Sequence, residues 1–238
     1  MIKRLFSISL LLLVGFAFFP IVGLLVDVQS LPPLATRYLE GGVEDYGAAN
    51  LVTSVIVSYR GLDTLGEVTV LFAASAGIAL VFRRRKKSLL SKVSDRSREN
   101  QPSEILGTGA ALLFPLILAF GIYVFAHGHL TPGGGFQGGV IIASGVLLLF
   151  LGGTVDHLSR GTIEVLEILA GSAYVGVGFL GLWLGAGFLD PRFLPSGEFG
   201  QLFSAGAIPL IYSLIGIKVG AELSGVIETL IEMQGGQE

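Results

Sequence analysis

The stretch Ala126–Gly145, AHGHLTPGGGFQGGVIIASG, sets two histidines, a proline and a run of glycines between two apolar segments. Three chemistries use such a pattern: a phosphate loop, a metal site, or a close crossing of helices. A phosphate loop needs Lys-Ser/Thr after its last glycine, and here Gly139 is followed by Val140 and Ile141. A metal site needs three or four ligands. His127 and His129, two residues apart, point away from each other on a helix, and no carboxylate or thiol lies nearby in sequence. Close approach is what the spacing allows. Gly134/Gly138 and Gly135/Gly139 are four residues apart and Ala143 extends the second set, so another backbone can pack against that face in lipid. Pro132 and Gly133–Gly135 suit a sharp turn into a span beginning near Phe136. The free N–H groups at that helix start suit an anion or ordered water. The histidines either titrate near neutral pH or serve as ordinary interfacial side chains.

Composition supports the helix-crossing reading. The chain has 238 residues, 52% hydrophobic and 14% charged, with mean hydropathy +0.76. A soluble domain carries about 25% charged residues. There is no cysteine, which excludes disulfides, thiolate metal sites and thiolate-bound iron–sulfur clusters. Redox chemistry therefore belongs to another chain; neither a cofactor nor a nucleic-acid partner is expected.

Apolar runs near the length of about 20 residues needed to span a bilayer are Leu5–Val28, Gly61–Phe82, Ile105–Ala126, Phe136–Val155, Ile163–Phe188 and Leu202–Leu230. The first follows Lys3 and Arg4 but is long and lacks a small-x-small cleavage site, so it reads as a span rather than a signal peptide. With the N-terminus in the cytoplasm, eleven of the 15 Lys and Arg residues fall inside and three outside (Arg37, Arg60, Arg192), with Lys218 within a span. This asymmetry predicts a multi-pass protein of the cytoplasmic membrane with both termini inside. The expectation is an all-α integral membrane protein of about six transmembrane helices plus a short outer amphipathic helix.

The basic stretch Arg83–Ser103 reads as the cytoplasmic linker, whether as topology anchor or as a site for anionic lipid. Residues 1–87 then form a two-span module, 88–103 the linker and 104–238 a four-span module. In the outer segment, Ala48, Leu51, Val52, Val55, Ile56 and Tyr59 recur at helical spacing, with Asn50, Thr53, Ser54 and Ser58 opposite. That pattern predicts an amphipathic helix lying on the outer surface or on a partner chain.

Charges near or inside spans mark candidate ion-pathway positions. In YRGLDTLGEVTVL (Tyr59–Leu71), Arg60, Asp63 and Glu67 share a helix face. Glu67 sits about 9 Å into the span and is read as functional. Asp63 is read either as functional or as a rim ion pair with Arg60. In GIKVGAELSGVIETL (Gly216–Leu230), Lys218 and Glu222 stand at i, i+4. Counted from Leu202, Lys218 lies about 24 Å down the span, where it either snorkels to the cytoplasm or joins Glu222 in a buried couple. Pro209 and Gly216 are expected to kink this helix, and Glu228 to be interfacial. Asp156, His157, Arg160 and Glu164 read as a cytoplasmic turn, and Asp190, Pro191, Arg192, Pro195 and Glu198 as an outer loop, both without catalytic role.

HGHLTPGGGFQGGVIIA (His127–Ala143) resembles the signature of the B subunit of Mrp-type sodium/proton antiporters, the MnhB family. YRGLDTLGEVTVL is similar to the motif of the MbhE-type module, which also ends the large Mrp A subunit. Both in one chain resemble a fusion of neighbouring subunits in the membrane arm of an archaeal respiratory complex, membrane-bound hydrogenase or membrane-bound sulfane sulfur reductase, the fused form favouring the latter. The resemblance implies a non-catalytic subunit that joins other Mrp-like chains, in contact with lipid, to move sodium or protons. Asp63 and Glu67 match charged positions of the one motif, Pro132 and Phe136 positions of the other. The alternative is a structural subunit that braces its neighbours and carries no ion. A free-standing transporter is disfavoured by the few intramembrane charges and the lack of a repeated pair of broken helices.

Overall fold

The computed structural model describes residues 2–26, 31–89 and 103–234, among which every regular element is helical. In order these are α1 (Ile2–Val26), α2 (Pro33–Tyr46), α3 (Leu51–Thr53) running into a π-helical turn (Ser54–Tyr59), α4 (Gly61–Leu89), α5 (Glu104–Ala126), α6 (Gly135–Leu151), α7 (Arg160–Leu184), a 3₁₀ turn (Pro191–Phe193) and α8 (Ile208–Gln234). They divide into two compact units, Met1–Leu39 and Glu40–Glu238. In the first, α1 is apolar and all its side chains from Leu5 to Pro20 are exposed.

Four helices are long and apolar enough to cross a membrane: Gly61–Phe82, Glu104–Ala126, Arg160–Leu184 and Ile208–Met233. Leu5–Pro20 and Gly135–Leu151 are apolar but shorter. The expected six spans thus resolve into four of full length and two short apolar helices among the described residues. α6 ends at Leu151, short of Val155, because Gly152 and Gly153 cap it, with Gly153 at φ 63°. The last span begins at Ile208, not Leu202: Ala205 (φ 63°) and Gly206 (φ 60°) turn the chain first. Pro209 lies in the first turn of α8, where its missing N–H breaks no helical bond, so it opens the helix instead of kinking it. α4 runs on to Leu89, so Arg83–Lys87 continue the helix. Residues 90–102 and both chain ends, and with them most of the expected linker and the placement of the termini, lie outside the described residues.

Within the larger unit α8 is central, packed by α4, α5, α6 and α7. Its Ile208, Ile211, Ile215 and Val219 form a core with Tyr174 and Val177 of α7, Val68 of α4 and Val57. α4 and α8 thus pack together even though the expected linker separates them in sequence.

Glycine sets the approach of α6. A Cβ on Gly135 would lie 2.6 Å from Ile215 Cβ, one on Gly139 2.8 Å from Val219 Cβ, and one on Gly138 2.6 Å from the Gly121 carbonyl oxygen. Gly135 and Gly139 thus face α8, and Gly138 faces α5. Gly134 caps the helix at φ 154°, beside Gln137 and Tyr212. Phe136 packs against the core, and Pro132 is exposed in the turn before the helix.

The outer segment departs from the sequence pattern. Arg60 N–H donates to Val55 O at 2.8 Å, the five-residue step of a π-turn, which shifts the angular phase of the segment. Thr53 and Ser54, expected on the polar outer face, are fully buried, whereas Val52 is 60% exposed. Their hydroxyls satisfy carbonyls: Thr53 Oγ1 donates to Gly128 O (2.7 Å) and Ser54 Oγ to Gly42 O (2.8 Å). Asn50 Nδ2 donates to Gly128 O (2.8 Å) and Thr131 O (3.1 Å), and Tyr212 Oη to Thr53 Oγ1 (3.0 Å). A helical wheel sorts by hydrophobicity, but here the loop of the glycine motif supplies carbonyls that draw the polar face inward.

Candidate ion pathway

α8 places Lys218 and Glu222 one turn apart on one face, with Lys218 Nζ donating to Glu222 Oε2 at 2.7 Å. Both are buried, at 7% and 2% exposure. Because α8 starts at Ile208, Lys218 stands about 15 Å along the helix, not about 24 Å as counted from Leu202. The ammonium folds onto Glu222 within the protein instead of snorkelling. Two other helices complete its surroundings. From α4, Ser75 Oγ donates to Glu222 Oε1 at 2.7 Å, and the Phe72 ring centroid lies 5.2 Å from Lys218 Nζ. From α7, Glu167 Oε1 lies 3.9 Å from the same ammonium. Gly171 makes room for it: a Cβ there would lie 3.3 Å from Lys218 Cε.

Two carboxylates thus share one ammonium. Fully ionised, the cluster carries one net negative charge, and a low-dielectric site of that kind is relieved by taking up a proton or a cation. A cavity of about 280 Å³ adjoins it, lined among others by Ser75, Glu164, Glu167, Glu222, Arg160 and Glu228. At its far end Arg160 Nη2 donates to Glu232 Oε1 (2.6 Å), and Leu158 N–H to Glu228 Oε1 (3.1 Å). Glu228, expected at the interface, is 4% exposed. Arg160 and Glu164, expected in a turn, belong to α7 and the cavity wall. His157, Glu228 and Glu232 bring potential metal-ligand atoms within 4.8 Å of one another, but Arg160 already engages both carboxylates.

At the other end of α4, Arg60 and Asp63 form an exposed ion pair. Glu67 is exposed on the second turn of α4 and makes no hydrogen bond or ion pair among the described residues. Arg60, the residue joining the π-turn to α4, therefore serves Asp63 and not Glu67.

The two histidines of the glycine motif have separate surroundings. His127 stacks on Tyr123 (centroids 4.2 Å apart), its Nδ1 3.1 Å from Tyr123 O. His129 is fully buried, with Nε2 donating to Gln201 O at 3.3 Å and Nδ1 without a partner among the described residues. Burial pushes its pKa below the ordinary imidazole value, which keeps the ring neutral. In the loop 185–207, Asp190 clasps the Arg192 guanidinium (Arg192 Nε–Oδ1 2.9 Å and Nε–Oδ2 3.1 Å, Nη2–Oδ2 2.6 Å) and accepts from the backbone N–H groups of Ala186 and Arg192, each at 3.0 Å. The guanidinium bonds, followed by these backbone donors, hold the carboxyl at a pKa of about 2.

Sequence reasoning singled out Lys218 and Glu222 but passed over Glu167, Ser75 and Phe72. The signal for Glu167 was present: it is an acidic residue four positions inside the apolar run Ile163–Phe188. Ser75 and Phe72 had none, since an apolar span holds many such residues and the contact crosses 147 positions of sequence.

Residues 105–225 match the family described as a domain related to the MnhB subunit of the Na⁺/H⁺ antiporter, and residues 2–98 match the MbhE family, a subunit of MBH. An uncharacterized protein of Methanocaldococcus jannaschii is 31% identical over 221 residues, 84% of this chain and 82% of its own. A chain of the membrane-bound sulfane sulfur reductase, an archaeal respiratory membrane complex, superposes with a TM-score of 0.78 at 45% identity, covering 97% of this chain and 98% of that one. A chain of the Mrp complex of a Dietzia species superposes with a TM-score of 0.73 at 25% identity, covering 96% of this chain but 26% of its own length.

Proposed function

The chain belongs to the family of domains related to the MnhB subunit of the Na⁺/H⁺ antiporter, and we propose that it is a non-catalytic membrane subunit through which an Mrp-type module of a respiratory complex moves sodium or protons. In this reading all six apolar helices cross the cytoplasmic membrane, with both termini in the cytoplasm, and the chain is a two-span and a four-span module fused through 88–103. Its partners are other Mrp-like subunits, and the redox chemistry that drives it resides elsewhere in the complex.

The observation that carries the proposal is the buried Lys218–Glu222 pair, met at mid-span by Ser75 of α4 and Glu167 of α7. Ionisable groups at that depth are expensive to keep in lipid, and pathways are where they are retained. The adjoining cavity offers access from the end bearing Arg160 and Glu228. At the opposite end Glu67, free of ion pairs among the described residues, is suited to exchange a proton or hold a cation where the path meets the outer side.

The test uses the assembled complex in vesicles, with ion flux read beside subunit stoichiometry. Lys218→Met is expected to lower flux at least about tenfold, the equivalent of about 1.4 kcal/mol at the barrier, with the complex intact. Glu67→Gln is expected to lower it about threefold by the same scale, with peripheral redox activity toward artificial acceptors preserved. The glycine contacts of α6 with α5 and α8 favour a second reading, a brace that carries no ion. Wild-type flux in both variants would make the brace the better account.

A further inference from the structure

On α7, Tyr174 lies seven residues beyond Glu167, two turns along the same face. It is 1% exposed, and its hydroxyl is a buried group with no hydrogen-bond partner among the described residues. Leaving a buried hydroxyl unbonded is costly, and phenylalanine would fill the same space. Tyr174 belongs to the apolar cluster of Val68 of α4 and Ile211 and Ile215 of α8, so it sits in the seam where the three helices meet. Glu67, exposed on α4, directly precedes Val68 of that cluster, and its carboxylate lies within electrostatic reach of the phenol. One turn before Tyr174, Gly171 faces Lys218 Cε. Polar groups along the seam therefore run from Glu67 through Tyr174 to the Lys218 cluster and on to the cavity.

We propose that the Tyr174 hydroxyl is a proton relay between Glu67 and the Lys218–Glu222–Glu167 cluster, so that what crosses this seam is a proton and not a metal cation. The inference rests on the function proposed above and names the ion for this passage. A hard cation requires a shell of several oxygens, and the apolar seam offers one neutral phenol oxygen. A proton requires only a line of hydrogen bonds, which waters on either side of the phenol complete. A proton moving inward bonds to the phenol oxygen from a water held by Glu67, while the phenol's own proton leaves to a water on the Lys218 side. One O–H bond forms as another breaks, the phenol ends neutral, and rotation about its C–O bond resets it.

The test is Tyr174→Phe in the whole complex, reconstituted in vesicles carrying a pH-sensitive dye, with Lys218→Met beside it. Tyr174→Phe is expected to lower proton flux about tenfold. Its subunit stoichiometry and thermal stability should match those of the wild type, because phenylalanine fills the same space and no protein group among the described residues loses a hydrogen bond. A relay and a packing residue differ in that combination. Wild-type flux in Tyr174→Phe with loss in Lys218→Met would overturn the relay and leave the proposed function standing. Wild-type flux in both would overturn both. Flux lost only together with the complex would assign Tyr174 to packing and overturn the relay.

Discussion

α8 presents two unlike faces to its neighbours. Toward α5 and α6 it shows Gly216, Val219 and Ile215, with backbones brought together by Gly135, Gly138 and Gly139. Toward α4 and α7 it shows Lys218, Glu222 and Glu228, with a cavity alongside. The first contact is made by shape: it has no charge to lose, and its glycines leave no space for a Cβ, although an apolar cavity of about 380 Å³ opens beside Gly216 and Gly220. The second is made by charge: it has room to give but no charge to spare. One helix thus serves as wall and as conduit, and substitutions on its two sides should fail in different ways.

The largest effect is expected on the glycine side. In Gly139→Leu the Cβ alone would stand 2.8 Å from Val219 Cβ and 2.9 Å from Gly216 O, so the two backbones must move apart to admit it. Overpacking of a rigid contact costs about 3 kcal/mol or more here, and the subunit should be missing from the complex on a native gel. Gly171→Ala, on the charged side, meets a flexible lysine carbon at 3.3 Å and should assemble normally. Equal behaviour of the two variants would break the comparison.

Next comes the pair itself. Glu222→Leu strands the Lys218 ammonium with Glu167 at 3.9 Å, a loss of about 3–5 kcal/mol for a buried pair broken from one side. Lys218→Met with Glu222→Leu removes both charges and should recover most of that stability while ion flux stays lost. Thermal unfolding of the four members of this double-mutant cycle, read beside flux, separates what holds the helix from what it carries.

Charges away from the seam should affect stability alone. Asp190 is held at about 2 by Arg192, below the ordinary carboxylate value of about 3.9. Its stabilisation is therefore fully present above about pH 4 and fades as pH falls toward 2. Arg192 is 46% exposed, so solvent screening reduces the contribution to about 1 kcal/mol. Asp190→Asn should flatten the acid limb of thermal stability measured in detergent and leave flux untouched. Smallest of all, Asp63→Asn removes an ion pair whose side chains are 61% and 52% exposed. A shift of about 0.5 kcal/mol or less is expected in the same assay.

What the sequence discloses follows from which interactions are local. The apolar runs, the glycine spacing and the i, i+4 relation of Lys218 to Glu222 are properties of short windows, and helix geometry turns them into faces. The start of α8 was misjudged because residues 202–207 are apolar enough to extend a span, while the left-handed Ala205 and Gly206 that turn the chain leave no mark in hydropathy. That error carried Lys218 too deep. The face of 51–59 was inverted because a single π-turn alters the phase and because the carbonyls of Gly128 and Gly42 arrive from elsewhere in the chain. Ser75 against Glu222 and Tyr174 in the α4–α7–α8 seam are matters of tertiary packing, and no periodicity encodes them.

The covalent closeness of Lys218 and Glu222 also bears on how the chain is made. A helix leaving the insertion machinery for lipid is penalised by about 2.5–3.5 kcal/mol for a lysine or an acid at its centre. If the counter-charge came only from another helix, α8 would have to find that helix before leaving the machinery. With both on one helix, a turn apart, the counter-ion travels with the ion. α8 can be released as a self-neutralised segment, and it then meets Ser75 of α4 and Glu167 of α7, which precede it in the chain.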